Sequence, residues 1–425
     1  MYEARRKVFW FAIISRIIVL SLQFFFNFIC PDHNADAFKA PTDNSEQISL
    51  YDSIVTFLFS GLARWDSEYF LHIAKYGYTY ENTLAFYPLY PMLLRIISVP
   101  VRKIFFVLNV HSSILITAML VNIICFVKSA VIFYDLSKAV LKSTNVAYKA
   151  AILYCINPAT IFFSAVYSES LFAYLSYYSM LRSIKLDPYV SFPVGLSILT
   201  RSNGMVNIGF PIYYQLQNLL HTYTEKYVNF SLKTLCQFIS KIGTLKIFCL
   251  MFNTIIISII PFIFIVNNLV LPGNSNVEWC HSKIPMAYSY IQKRYWNIGF
   301  LNYYEIKQIP NFILAFPILY IMIRCIKEYF FEHKKYFYTL GFIKVIGNNV
   351  ETERKKYPIE MLVFVIHGLF LTIFCILFVH IQVSTRLISS ASPLIYWYCD
   401  KLILSYFLGY GVVGCFMFSN FLPWT

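Results

Sequence analysis

The chain alternates long apolar runs with shorter polar stretches, and the length of each run indicates what it forms. A helix that crosses a bilayer needs about 17–25 predominantly apolar residues. Runs near that length cover 8–29, 111–134, 148–167, 246–271, 359–380 and 402–422. Shorter runs cover 170–181, 189–200, 204–217, 310–325 and 386–398. The pattern predicts an all-α polytopic membrane protein with about 8–11 membrane segments.

Composition supports a membrane protein and argues against a nucleic-acid partner. Apolar residues make up 58% of 425 positions and charged residues 13%, against about 25% charged in ordinary soluble domains. The net charge of +14 comes largely from short basic loops, as on the cytoplasmic side of membrane proteins. The ten cysteines show no metal-binding spacing. A disulfide between Cys30 and Cys280, which we place on the same side, is left open.

Charges that flank the apolar runs predict the side of the membrane on which each loop lies. Basic residues collect on the cytoplasmic side, and Arg5 and Arg6 precede the first run. Because Arg16 interrupts that run and no small-residue cleavage site follows, we interpret 8–29 as a retained anchor rather than a signal peptide. The N-terminus is then cytoplasmic. Residues 30–95 carry eight acids and four bases, which places them on the opposite side.

We interpret residues 1–425 as a single membrane domain. The number of crossings within the short, broken runs of 170–217 stays open. The predicted parts are the first anchor at 8–29, a non-cytoplasmic catalytic loop with amphipathic helices at 30–108, membrane helices at 109–271, a non-cytoplasmic loop at 272–308, and C-terminal membrane helices at 309–425 that include a basic cytoplasmic loop at 326–358.

Two carboxylates, Asp66 and Glu68, lie beside Trp65 at the start of the chain's first non-cytoplasmic loop. Two residues apart on a helix, they point about 200° from each other, so one of them is predicted to face a substrate. A general base needs a carboxylate within hydrogen-bond reach of the proton it removes. We favour Asp66, since Trp65 can stack on a sugar. The alternative is that Asp66 caps a helix covering 67–76.

Further polar residues fall on the same predicted side and are candidates for substrate binding. Arginine suits bidentate recognition of phosphate, and we interpret His72 as lying close to the helical face of Asp66. Each candidate also has a structural interpretation: a structural histidine, a helix cap, an interfacial belt or a snorkelling arginine. The candidates besides Trp65 are His72, Glu169, Arg201, Asn203, Trp296, Asn297, Lys307, Gln308 and Arg386.

Several strings spread over the chain carry a resemblance to one family. They are PDHNADAF at 31–38, RWDSEYFLHIAKYGY at 64–78, NPATIFFSAVYSESLFA at 157–173, RSNG at 201–204, YWNIGFLNYYEIKQIPNF at 295–312, SSASPLIYWY at 389–398 and SNFLPWT at 419–425. In this order they resemble the GPI mannosyltransferase II (PIG-V) family of the endoplasmic reticulum. The shared order is more specific than any single string.

The resemblance implies a GT-C glycosyltransferase fold with the catalytic acid in the first luminal loop. It implies transfer of the second mannose from dolichyl phosphate mannose to the glycosylphosphatidylinositol (GPI) precursor, forming an α-1,6 bond with inversion. It implies no metal or other cofactor. Under it, Asp66 is the general base, Glu68 positions the sugar or replaces Asp66, and Arg386, Arg201 and His72 are candidates to stabilise the departing phosphate.

Other functions fit the same pattern and stay open at this point. A multispan transporter or lipid scramblase would use buried polar breaks to line a permeation path. A GT-C mannosyltransferase with a different lipid-linked acceptor would share the same motifs. A non-catalytic subunit of a GPI-synthesis complex would tolerate loss of both Asp66 and Glu68, and an accessory membrane subunit is also left open.

Overall fold

The computed structural model describes residues 2–39, 48–226, 249–257, 287–342, 356–398 and 401–424. Regular structure in these ranges is helical, which confirms the predicted all-α class. The helices are α1 (Tyr2–Ile29), α2 (Leu50–Phe59), α3 (Asp66–Tyr76), α4 (Leu89–Ile104), α5 (Val110–Leu141), α6 (Thr144–Cys155), α7 (Glu169–Ile184), α8 (Ser191–Thr200), α9 (Gly209–Lys226), α10 (Ala287–Trp296), α11 (Ile309–Glu332), α12 (Lys334–Tyr338), α13 (Leu362–Phe378), α14 (Ser384–Ala391), α15 (Leu394–Trp397) and α16 (Lys401–Ser419).

Four helical stretches of the described residues are long and apolar enough to cross a membrane: Glu3–Ile29, Val110–Leu141, Ile306–Glu332 and Ile359–Phe378. They identify a membrane protein, while the predicted total of about 8–11 segments stays a prediction. The run at 310–325 was expected to be short. Helix α11 is longer than that run, since it also includes the more polar residues up to Glu332. Cys280 and most of the run at 246–271 lie outside the described residues.

The apolar run at 148–167 is broken rather than one continuous helix. Helix α6 ends at Cys155, and Thr160–Phe163 forms a separate 3₁₀ turn. Pro158 explains the break, because proline lacks an N–H and disfavours helical backbone at the preceding residue. Irregular backbone inside a membrane protein must find its hydrogen-bond partners within the protein.

Arg16 supplies those partners from the neighbouring helix α1. Its fully buried guanidinium donates to the carbonyl oxygens of Thr160 at 2.9 Å and Cys155 at 3.2 Å. It also donates to the Ser164 hydroxyl at 3.0 Å and lies 3.7 Å from the Phe126 ring centroid. The residue that interrupts the first anchor in the sequence therefore stabilises the break that leads into Glu169 and α7.

Helix α5 occupies the centre of the molecule and packs against α1, α4, α6 and α7. Its Phe126 stacks on Tyr154, with ring centroids 5.1 Å apart, and its Phe133 contacts Tyr177 at 5.0 Å. Helix α3 packs against both α4 and α5, and α14 packs against α7. The first predicted loop is thus held against the helical core, with the start of α7 and the arginine of α14 close by.

Gly414 on α16 allows Trp424 to lie directly against the helix. A Cβ at position 414 would stand 2.6 Å from the Trp424 Nε1, whereas a Cβ at Gly409 on the same helix would meet nothing within 4 Å. We expect Gly414→Ala to lower the free energy of unfolding by about 1–3 kcal/mol through overpacking. Thermal unfolding of the detergent-purified protein measures the effect.

Gly409→Ala is the matched control for this prediction. Alanine favours helix over glycine by about 1 kcal/mol, so the control should be as stable as the unsubstituted protein or slightly more stable. Equal melting temperatures for the two variants would show that the packing of Trp424 against α16 does not require glycine at position 414.

Candidate active site

A cavity of about 1000 Å³ lies between α3, α10, α11, α13 and α14, and the segments before α7 and after α8 complete its lining. One part of its lining is polar and includes Asp66, Arg201 and Arg386. Another part is apolar and comes from α11, α13 and α14; its residues include Leu314, Phe370, Phe374, Phe378 and Leu387. A cavity of this kind can receive a molecule that has both a polar and an apolar portion.

Asp66 enters the cavity at the first position of α3. The N-cap position of α3 is Trp65, which has φ 55° and ψ −122° and whose side chain makes no capping hydrogen bond. Asp66 is already inside the helix, so the structure does not support it as the helix cap. A non-glycine residue at positive φ costs about 1–3 kcal/mol and persists only where its surroundings fix it. The Asp66 backbone N–H donates to the Tyr167 hydroxyl at 3.0 Å. Local backbone strain and Tyr167 together fix the direction of the Asp66 carboxylate.

Two acids and two arginines form a chain of opposite charges at the cavity. Arg386 Nη1 lies 2.8 Å from Asp66 Oδ2, and Arg386 Nε lies 4.0 Å from Glu169 Oε1. Arg201 Nη1 donates a hydrogen bond to the same Glu169 oxygen, Oε1. Glu169 is completely buried, and such a charge needs a partner because its desolvation is costly. The order Asp66, Arg386, Glu169, Arg201 leaves the four side chains balanced in charge.

Several buried polar atoms in the cavity lining, and one on Glu169 behind it, have no hydrogen-bond partner. Among the described residues these buried atoms include Trp65 Nε1, Asn203 Nδ2, Arg386 Nε and Glu169 Oε2. Most buried polar groups in proteins are hydrogen-bonded, so a group of unpaired donors at one cavity requires an explanation. A substrate rich in oxygen atoms would accept hydrogen bonds from these donors.

The structure separates Asp66 from Glu68. Asp66 lines the cavity and Glu68 does not, in keeping with their opposed directions on one helix. Glu68 instead interacts electrostatically with Arg64 and helps to keep the pKa of that arginine from falling further on burial. The geometry favours Asp66 over Glu68 as the group that meets a substrate.

His72 is not brought to the cavity. Six residues turn a helix by about 240°, so His72 does not share the face of Asp66 as the sequence suggested. Its Nε2 lies 2.7 Å from the Thr79 hydroxyl, and its ring contacts Phe38 and Tyr80. Burial lowers the pKa of His72, which disfavours the charged form that would hold a phosphate.

The predicted residues between 295 and 312 divide into two groups. Trp296 lines the cavity, and its carbonyl lies 2.6 Å from His380 Nε2. Asn297, Lys307 and Gln308 lie outside the lining. Lys307 is exposed and pairs with Glu305 at 3.2 Å, while Gln308 accepts a hydrogen bond from Asn311, which does line the cavity. Asn203 and Arg201 both reach the lining from the segment after α8.

Several lining residues have no counterpart among the sequence-based candidates. Tyr167 lies two residues before the candidate Glu169, and Trp424 lies in the SNFLPWT string, but neither position was assigned a role. His380 also lines the cavity, and burial lowers its pKa, with the Arg386 charge adding to the effect. Its hydrogen bond to Trp296 opposes the shift. Tyr167 and Trp424 lie within the quoted strings, which do not indicate where a side chain points, and His380 lies in none of those strings.

The fold and site define a helical integral membrane protein whose cavity combines ionised side chains with an apolar wall. Among the described residues, no group of three or more His, Cys, Asp or Glu side chains could hold a metal ion. The chain belongs to the mannosyltransferase (PIG-V) family, whose sequence profile matches residues 5–407. The resemblance found in the sequence is thereby confirmed.

Relatives are similar over nearly the full chain. The GPI mannosyltransferase 2 of Drosophila melanogaster is 35% identical over 462 aligned positions, covering 99% of both chains. The GPI alpha-1,6-mannosyltransferase 2 of Homo sapiens is 30% identical over 506 positions, again covering 99% of both. The corresponding protein of Cricetulus griseus is 31% identical. No solved structure matches the chain.

Proposed function

We propose that this protein is an α-1,6-mannosyltransferase of the GT-C type that adds the second mannose to the GPI precursor. The donor is dolichyl phosphate mannose, and the reaction inverts the configuration at C1 of the transferred sugar. Family membership and the names of the relatives support the reaction class. The observation that carries the proposal is the Asp66–Arg386 pair, 2.8 Å apart, in a cavity that is part ionised and part apolar.

Asp66 acts as the general base. Its carboxylate accepts the proton of the 6-hydroxyl on the first mannose of the acceptor as that oxygen attacks C1 of the donor mannose. The attack comes from the face opposite the phosphate, and the bond between C1 and the phosphate oxygen breaks with its electron pair leaving on the phosphate. A single displacement of this kind inverts C1. Glu68 lies outside the lining and interacts electrostatically with Arg64 instead.

Arg386 and Arg201 stabilise the departing dolichyl phosphate. Preorganised cations stabilise charge that develops in the transition state without having to reorganise at that moment. Arg386 binds Asp66 through Nη1 and also lines the cavity, so the same guanidinium can serve base and leaving group. The fully buried Glu169 holds Arg386 and Arg201 from behind.

The apolar part of the cavity receives the first isoprene units of the donor. Phe370, Phe374 and Phe378 stand one helical turn apart on α13, with successive ring centroids 6.1 and 5.6 Å apart. Phe370 and Phe378 line the cavity and are exposed, so α13 offers the hydrocarbon chain of the donor an apolar surface. We place the cavity on the luminal side of the endoplasmic reticulum membrane and the N-terminus in the cytoplasm.

The transfer assay tests the proposal directly. Purified protein in lipid is incubated with radiolabelled dolichyl phosphate mannose and a one-mannose GPI precursor, and the lipid products are separated. We expect a labelled two-mannose lipid that an α-1,6-specific mannosidase degrades. A transporter or scramblase would move lipid but give no such product, and labelling of a different lipid acceptor would reassign the substrate.

A further inference from the structure

Arg64, which precedes Trp65 and Asp66, binds two segments that are distant in sequence. Its Nη2 donates to both carboxylate oxygens of Asp32, at 3.1 and 2.8 Å. Its Nε donates to the Ser419 carbonyl oxygen at 3.2 Å, and the guanidinium lies 4.5 Å from the Phe421 ring centroid. Arg64 is 8% exposed and does not line the cavity.

Other hydrogen bonds close the same junction. Asn27 Nδ2 also donates to the Ser419 carbonyl oxygen, at 3.0 Å, and Asn27 Oδ1 accepts from the Ser60 hydroxyl at 3.0 Å. The His33 backbone N–H donates to the Asn420 carbonyl oxygen at 2.9 Å. The end of α1, the segment around Asp32, the loop before α3 and the residues after α16 therefore meet at Arg64.

The junction reaches the strained residue at the cavity. The Phe421 ring stands edge-on to Trp65, with ring centroids 6.0 Å apart, and Pro423 and Trp424 continue into the cavity lining. Trp65 keeps φ 55° only if its surroundings hold it there. Arg64 is bonded directly to Trp65 and also fixes Phe421, so the junction constrains Trp65 along the backbone and through its ring.

We propose that the Asp32–Arg64 pair, with Ser419 and Phe421, is a positioning device for the transfer reaction. It holds Trp65 at positive φ and so aims the Asp66 carboxylate at the acceptor hydroxyl. This inference rests on the proposed function. Arg64 is a positioning residue, since it acts through Asp66 and touches no part of the cavity. Arginine is required because one planar guanidinium reaches the Asp32 carboxylate and the Ser419 carbonyl together.

The first test replaces Asp32 with Asn, which keeps the size of the side chain and removes its charge. A misplacement of about 1 Å at a reacting group can cost about a hundredfold in rate, so we expect kcat to fall by about tenfold to a hundredfold. The KM values for donor and acceptor, and the fraction of molecules that bind radiolabelled dolichyl phosphate mannose, should stay unchanged. Asp187→Asn breaks a comparable pair with Arg182, 2.6 Å apart and outside the cavity lining, and should change none of these values.

Arg64→Lys supplies an independent arm. Lysine retains the positive charge but lacks the planar guanidinium that binds Asp32 and Ser419 together, so we expect the same fall in kcat. The double variant with Asp32→Asn should be no slower than either single variant. A rise in KM with kcat intact would overturn the inference. So would a loss of kcat matched by an equal loss of donor-binding molecules, because that result describes unfolding rather than positioning.

The junction can also be measured without any transfer. In purified protein carrying Pro423→Cys, the rate of maleimide labelling above that of the native cysteines reports how firmly the segment after α16 is held. We expect Asp32→Asn to accelerate this labelling. An unchanged labelling rate would contradict the proposed positioning role of the Asp32–Arg64 pair. Absence of mannose transfer by the unsubstituted protein would contradict only the proposed function.

Discussion

Replacing Asp66 with Asn is expected to abolish detectable mannose transfer. Asparagine matches the size of aspartate and can still accept a hydrogen bond from Arg386, but it cannot take a proton from the acceptor hydroxyl. Loss of a general base lowers the rate by about 10²–10⁴-fold, and the Asp66–Arg386 alignment at 2.8 Å is weakened as well. Radiolabelled two-mannose product from membranes with equal amounts of each variant measures the loss, while membrane insertion should be intact.

Glu68→Gln is the matched control for this experiment. It makes the same chemical change two residues further along α3, at a side chain that does not line the cavity. We expect transfer close to the unsubstituted rate. The reverse pair of results, an active Asp66→Asn and an inactive Glu68→Gln, would assign the base to Glu68. Full activity in both variants would favour a non-catalytic subunit.

The sequence predicted the all-α membrane class because that class follows from local properties, and the same properties led us to place several polar residues on one side of the membrane. Apolar run length and the position of basic loops depend on neighbours along the chain. From them alone, Asp66, Glu169, Arg201 and Arg386 were placed on one side, and the structure brings all four together. The apolar run at 148–167 is continuous in the sequence, whereas helix α6 ends at Cys155, shortly before Pro158.

Pairing between distant residues could not be derived in the same way. Asp66 and Arg386 are separated by 320 positions, and no local pattern indicates that their side chains meet. The sequence also gave no direction to Tyr167, whose position depends on how Arg16 satisfies the backbone between 155 and 164. Arg16 attracted attention only as an interruption of the first anchor, because its partners lie on another helix.

Because of these long-range contacts, the proposed reaction depends on several helices that position the reacting side chains, and not on those side chains alone. The acid comes from α3, its arginine from α14, and the buried Glu169 behind them from the start of α7. A different contact fixes each of these elements. Arg64 fixes the loop before α3, Arg16 on α1 fixes the segment before α7, and α14 packs against α7. A change at any of these elements should therefore affect catalysis more than its own contacts suggest.

Arg386→Gln is expected to lower kcat by about 10²–10³-fold, the usual effect of removing one group that stabilises developing negative charge. Arg386→Lys should recover only part of the rate, since lysine cannot reach Asp66 and the phosphate with one planar group. Arg182→Gln, which breaks the pair with Asp187 outside the cavity lining, should leave kcat unchanged.

Inhibition by the product dolichyl phosphate separates two roles for Arg386. A charge-assisted hydrogen bond contributes about 1.5–3 kcal/mol, so direct contact with the phosphate predicts that Arg386→Gln raises the inhibition constant by about tenfold to a hundredfold. If Arg386 serves only to hold Asp66, kcat falls and the inhibition constant does not move. Residual activity at a tenfold weaker product affinity would thus assign a contact with the leaving group to Arg386, beside the one proposed for Arg201.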